Sequence, residues 1–204
     1  MSKIISQGAE AIIKKEKNCI IKDRIKKSYR IKEIDDKIRR LRTRNEGKIL
    51  QRASKIIPTP QLINSNEDSK QIKMDFIPGK VLSLQLDKLK NKEQENIASQ
   101  IGKNIALLHN NKIIHGDLTT SNMIYHNQTI YVIDFGLAFQ SERIEDKAVD
   151  LHLLKQALGA KHYLTFNKLW KTLEKSYKKN SEEGDKVLQR LKIVESRGRY
   201  KDKY

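Results

Sequence analysis

The stretch from His109 to Gly136 restricts this chain more than any other. Three short apolar runs lie in it: Ile113-Ile114, Met123 to Tyr125, and Ile130 to Ile133. Polar residues punctuate them: His115-Gly116-Asp117 after the first run, Asn122 just before the second, and Asp134-Phe135-Gly136 after the third. A lone Asp-Gly or Gly-Asp is usually an ordinary turn. Six of these polar-run residues in register (His115, Asp117, Asn122, Asp134, Phe135 and Gly136), flanked by strand-like runs on both sides, are far less expected from chance. Runs this short read as strands of a tiny sheet, which brings Asp117, Asn122 and Asp134 toward one edge of it.

The rest of the chain supplies a frame for that edge. Ile4-Ile5, Ala9 to Ile13 and Asn18 to Arg24 read as short strands with turns between them. Ile31, Ile34, Ile38 and Leu41 recur at spacings of three and four, the period of a helix with one apolar stripe, which resumes at Ile49-Leu50. Pro58 and Pro60 close that helix, since neither ring can continue the hydrogen-bond ladder. Ile63 and Ile72 to Phe76 form one more hairpin. Past Pro78-Gly79 the period turns helical, with Ile97, Ile101, Ile105 and Leu108 on one face through His109, which is expected to cap that helix. Leucines at helical spacing fill Ala148 to Val194. The expected fold is α+β and bilobal: residues 1–77 a small sheet with one long helix, residues 78–204 a mostly helical lobe with a tiny sheet at its entrance.

The three oxygen-bearing side chains point to phosphoryl transfer. That chemistry needs a carboxylate to orient and deprotonate an acceptor, and hard oxygen ligands to hold magnesium on the phosphates. Asp117 suits the first role, and Asn122 and Asp134 the second. A kinase-like site also needs a strand lysine for the phosphates and a helix glutamate to hold it. Lys22, in Cys19-Ile20-Ile21-Lys22, and Glu46, late on the first helix, fit those places. The nucleotide-covering loop would be Ile5-Ser6-Gln7-Gly8-Ala9-Glu10-Ala11, with Gly8 its single glycine. ATP's adenine would lie between strand isoleucines such as Ile5 and Ile13 and the hinge Met74-Asp75-Phe76-Ile77.

His115-Gly116-Asp117-Leu118-Thr119-Thr120-Ser121-Asn122 with Ile133-Asp134-Phe135-Gly136-Leu137 closely resembles the small atypical kinase of the KEOPS complex. Gly8-Ala9-Glu10-Ala11, Lys27-Ser28-Tyr29-Arg30, Arg42-Thr43-Arg44-Asn45-Glu46, Glu145 to Leu151 and Arg197-Gly198-Arg199 carry the resemblance nearly end to end. The unadorned length is similar to archaeal, stand-alone members. The resemblance implies a minimal protein-kinase-like fold and a serine/threonine autokinase or ATPase using ATP and Mg2+. It implies service in the complex that makes threonylcarbamoyladenosine in tRNA, with the threonylcarbamoyl-transferase subunit and a small regulatory subunit as partners. By position, Asp117 resembles the catalytic base, Asn122 and Asp134 the metal ligands, Lys22 the phosphate lysine and Glu46 its partner.

Departures from ordinary protein kinases also carry meaning. Gly116 stands where an arginine would receive a phosphorylated activation loop, so that switch has no receiver. Thr119 stands where a lysine would sit near the γ-phosphate, and no Ala-Pro-Glu follows the Asp-Phe-Gly. A slow enzyme without a peptide-docking surface is expected. Two other readings remain open: a small-molecule kinase of the aminoglycoside or choline type, whose large acceptor-binding insertions have no room here, and a non-catalytic nucleotide- and tRNA-binding scaffold.

Charge widens the list of partners without selecting one. With 42 Lys+Arg against 25 Asp+Glu among 204 residues, the formal net charge is +17, which attracts polyanions. Arg39 and Arg42 in the basic run, with Arg197 and Arg199 in the tail, are candidate contacts for tRNA or a partner protein. The single cysteine, Cys19, excludes an internal disulfide and any multi-cysteine zinc site. No apolar stretch approaches membrane-spanning length and the start lacks a signal-peptide pattern, so a cytoplasmic protein is expected.

Overall fold

The computed structural model describes residues 3–198. Five strands open the chain as one antiparallel sheet of order β1-β2-β3-β5-β4: β1 Lys3–Gln7, β2 Ala11–Glu16, β3 Cys19–Arg24, β4 Leu62–Asn66 and β5 Gln71–Asp75. Helix α1, Lys32–Ala53, crosses between β3 and β4 and packs on the β4–β5 hairpin. The second half begins with β6, Lys80–Val81, and α2, Asn91–Asn110. The short strands expected from sequence follow: β7 Ile113–Ile114, β8 Met123–His126 and β9 Thr129–Val132, with β6-β8-β9 forming one small sheet. Strand β10, Phe139–Gln140, pairs with β7, and α3 Ile144–Lys161, α4 Phe166–Asn180 and α5 Gly184–Gly198 complete the helical lobe. The architecture is the expected α+β, protein-kinase-like one. Among the described residues no helix is long and apolar enough to cross a membrane.

Two apolar cores hold it. The larger lies among α2 to α5 and the floor of the small sheet, with Ile101, Leu154, Trp170, Leu173 and Leu191 buried in it. The smaller one joins the two lobes: Ile49, Leu50 and Ala53 of α1 and Ile72 of β5 meet Leu108 of α2, Ile113, Val132 and Phe135. The phenylalanine of Asp134-Phe135-Gly136 is therefore 1 % exposed and keyed to the same core as α1. Asn45 adds a polar link, donating to the Ala138 carbonyl at 2.8 Å.

Two details depart from the periodicity reading. The stripe on the first half of α1 is real as a pattern but faces outward, with Ile31, Ile34 and Leu41 exposed. Its buried positions are instead Asp35 and Thr43. The Asp35 carboxylate accepts from Arg39 Nε at 2.7 Å and from the Lys27 N–H at 3.3 Å, so hydrogen bonds with a charge partner offset its desolvation. His109 does not cap α2. Asn111 occupies that place, and His109 lies 1 % exposed between the Tyr177 hydroxyl at 2.8 Å and Asp150 at 3.2 Å.

Close packing of α2 on α4 depends on Gly102. A Cβ there would lie 2.3 Å from the Leu173 carbonyl oxygen, on backbone that cannot yield cheaply. Alanine normally gains about 1 kcal/mol over glycine within a helix, but overpacking a core costs about 1–3 kcal/mol. Gly102→Ala should therefore lower the urea unfolding midpoint, whereas a helix governed by propensity alone would show a rise.

Candidate active site

Lys22 and Arg24 sit two apart on β3, and alternation puts both on the same face of the sheet. Each is 6 % exposed. Glu46, from the inner face of α1 and 1 % exposed, divides its carboxylate between them: Oε1 accepts from Lys22 Nζ at 2.7 Å and Oε2 from Arg24 Nη2. Lys22 Nζ also donates to Asp134 Oδ1 at 2.6 Å, across the cleft from the sheet. Asp134 keeps a left-handed backbone, φ 63°, in which its Oδ1 also accepts the Gly136 N–H at 3.1 Å. Asp is among the few residues with a carbon side chain that enter that region readily.

The charges fix one another. Burial works against the Lys22 ammonium, but the charges of Glu46 and Asp134 and the hydrogen bonds to both outweigh it and raise the lysine pKa. Desolvation pushes the Asp134 carboxyl up, but the Lys22 charge and hydrogen bond, helped by the Gly136 N–H, hold it below the usual aspartate value.

The loop from β7 to β8 carries the other half. Asn122 Nδ2 donates to the Asp117 carbonyl at 2.9 Å and to Asp117 Oδ2 at 2.8 Å. The amide's donors are thereby directed to Asp117, which leaves its oxygen for other company. His115 braces the loop as expected: its Nδ1 accepts the Asp117 N–H at 3.3 Å, so Nε2 carries the proton that goes to the Ile133 carbonyl at 3.1 Å. From α3, buried Asp150 receives the N–H groups of His115 and Gly116, each at 2.8 Å. Gly116 has φ 77°, and a Cβ there would lie 2.6 Å from the Leu137 carbonyl. Backbone conformation and close approach thus require the glycine, beyond the absence of an arginine there.

Two recesses flank the Lys22–Asp134 contact. One, of about 310 Å³, is largely apolar and includes Ile5, Met74, Asp75, Ile77, Glu46 and Asn122 in its wall. The other, of about 330 Å³, is bounded by Gly8, Ala9, Glu10, Arg42, Asp117 and Gly136. Ile13, Lys22 and Asp134 line both. The nucleotide-site residues singled out in the sequence thus border one cleft.

No group of three or more His, Cys, Asp or Glu side chains among the described residues is arranged to hold a metal alone. Magnesium does not require one, because it keeps water and binds through one or two protein oxygens plus phosphates. Asp134 and Asn122 fit that donor set.

Other expected residues lie elsewhere. The basic run is matched internally: Arg39 pairs with Asp35, Arg40 with Asp36, Arg42 with Glu10 and Arg44 with Glu67. It is not a bare cationic face. Arg197 pairs with Glu145 at 2.6 Å, and Arg199 lies outside the described residues. Neither Arg24 nor Asp150 is given a role from sequence, although Asp150 lies in the Glu145 to Leu151 stretch that carries the resemblance. The strand register that places Lys22 also places Arg24 and could have found it. No spacing rule points to Asp150, because α3 meets the loop only through the tertiary fold.

A model of the RIO domain matches residues 3–155. The KEOPS complex subunit Bud32 of Pyrococcus abyssi is 38% identical over 214 residues, covering 98% of this chain and 97% of that one. The chain belongs to the RIO domain family and, within it, to the family of that subunit. Probable bifunctional tRNA threonylcarbamoyladenosine biosynthesis proteins of Methanobrevibacter smithii and Methanocaldococcus jannaschii are 41% and 39% identical over 97% of this chain. The chain spans only about a third of their length, 36% and 37%. A solved streptomycin–ATP–APH(2")-IIa ternary complex matches with a TM-score of 0.63 at 13% identity, over 96% of this chain and 82% of that one, a likeness of fold.

Glu46→Gln leaves two buried cations short of one charge. It should cost about 3 kcal/mol, read as a lower urea midpoint. Because the Asp134 pKa is depressed, its contribution to stability is present above the ordinary aspartate value and is lost as pH falls through the lowered one. The stability gap between wild type and Asp134→Asn should be flat from about pH 5 to 9 and close below about pH 4. The raised Lys22 pKa keeps the ammonium charged across that plateau.

Proposed function

We propose that this chain is a magnesium-dependent ATP phosphotransferase or ATPase, with serine/threonine autophosphorylation, acting in the cytoplasm as the kinase subunit of a KEOPS assembly that makes threonylcarbamoyladenosine in tRNA. The observation that carries this reading is the convergence of Lys22, Glu46 and Asp134, with contacts of 2.6 and 2.7 Å, between the two recesses and beside the Asp117–Asn122 pair. Membership of the RIO domain family and the names of the relatives supply its biological setting.

The roles follow from position. The apolar recess suits a purine against Ile5, Ile13 and Met74, with the backbone of Asp75 and Ile77 at its edge. Gly8, Ala9 and Glu10 cover the phosphate side. Lys22, aimed by Glu46, supplies an ammonium to the phosphates. Magnesium held by Asp134 and the Asn122 oxygen would supply neutralising charge there. Asp117, with Oδ2 engaged by Asn122, keeps its other oxygen for an acceptor hydroxyl or water, as a general base requires. The division into lobes at residues 77 and 78 belongs to the same reading, supported by Ile77 at the wall of the apolar recess. For partners we propose the threonylcarbamoyl-transferase subunit, a small regulatory subunit and tRNA, the last drawn by the net charge of +17.

Asp134→Ala should reduce phosphate release from ATP to background, and Asp117→Asn should lower it by about 10²–10⁴-fold. Asp134→Ala protein that turned over ATP like wild type would remove the metal-ligand assignment and the reading built on it.

A further inference from the structure

We propose that Arg24 and Arg42 form a two-arginine clamp for the terminal phosphate of the nucleotide, an inference that rests on the reading above and identifies what meets the charge at the position where Thr119 supplies none. Arg24 and Arg42 both border the phosphate-side recess, together with Asp117, Asp134 and Gly136. Arg24 is 6 % exposed, so its charge is held out of water. One nitrogen binds Glu46, while its Nε is buried and has no acceptor among the described residues. An uncommitted buried donor is costly unless a ligand completes it.

Arg42 lies one helical turn before Glu46 on α1. It donates from Nη1 to Glu10 Oε2 at 2.6 Å, and Glu10 belongs to the loop that covers the recess. A guanidinium carries five N–H donors in a fixed fork that matches phosphate oxygens two at a time. Glu10 is the exchangeable occupant of that fork: a phosphate oxygen can take the place of its carboxylate.

Charge in the recess argues the same way. Lys22 already serves two carboxylates, and Asp117 and Asp134 add negative charge to the walls that a triphosphate must approach. Arginine from β3 and from α1 brings positive charge from two separate elements. The terminal phosphate would then report the closed arrangement of sheet and helix, and a diphosphate would reach fewer of these donors.

The test compares ATP and ADP affinity, with magnesium, by calorimetry on the whole chain. Arg42→Gln is the main variant, because its side chain is partly exposed and its loss leaves no buried charge unpaired. It should reduce the preference for ATP over ADP on the order of tenfold. Glu10→Gln separates the clamp from a simple latch on the loop: it frees Arg42, so the ATP preference should rise. If the preference survives Arg42→Gln, or falls equally in Glu10→Gln, the clamp is wrong and the nucleotide reading stands. Wild-type protein that binds neither nucleotide overturns that reading, and the clamp with it.

Discussion

The site depends on the carboxylate of Glu46. It is 1 % exposed and lies between two cations that are themselves almost fully buried, with one oxygen for Lys22 and one for Arg24. No member of this set is affordable alone, because each would be an uncompensated charge in a low-dielectric wall. Together they tie α1 to β3, and through Lys22 they reach Asp134 on the far side of the cleft. The geometry of the covering sheet, the helix and the Asp-Phe-Gly turn is thus one electrostatic problem with one solution.

Apolar packing makes that solution rigid. The small core that contains Phe135 also contains Ile49, Leu50 and Ile72, so the turn carrying Asp134 cannot shift without disturbing α1 and β5. On the other side, Asp150 gathers the N–H groups of His115 and Gly116 and is itself approached by His109, which leans on Tyr177. The loop that carries Asp117 hangs from the helical lobe by buried hydrogen bonds, while Lys22 hangs from the sheet. The cleft lies between two halves that share the small core at its back.

Much of this was legible in the chain because it is local. Strand and helix order followed from isoleucine and leucine spacing, and Asp117, Asn122 and Asp134 stood out because turn residues and short apolar runs fixed their register. Periodicity failed where it speaks only of pattern: Ile31, Ile34 and Leu41 share a helical face, yet nothing in their spacing says which side meets the protein. The same limit applies to the arginines of α1. Their density makes them candidate contacts for tRNA or a partner, and spacing does not say that Asp35 and Asp36 of the same helix and Glu10 and Glu67 of nearby turns pair with them.

The sequence by itself determined the element order, the register of Asp117, Asn122 and Asp134, and the family, since each is written in residues close together along the chain. Tertiary structure alone decided that Arg24 shares Glu46 with Lys22, that Arg42 borders the recess lined by Gly8 and Asp117, and that Asp150 suspends the loop. Those are meetings of side chains far apart in sequence, and they exist because burial makes an unpaired charge or N–H too costly to leave alone.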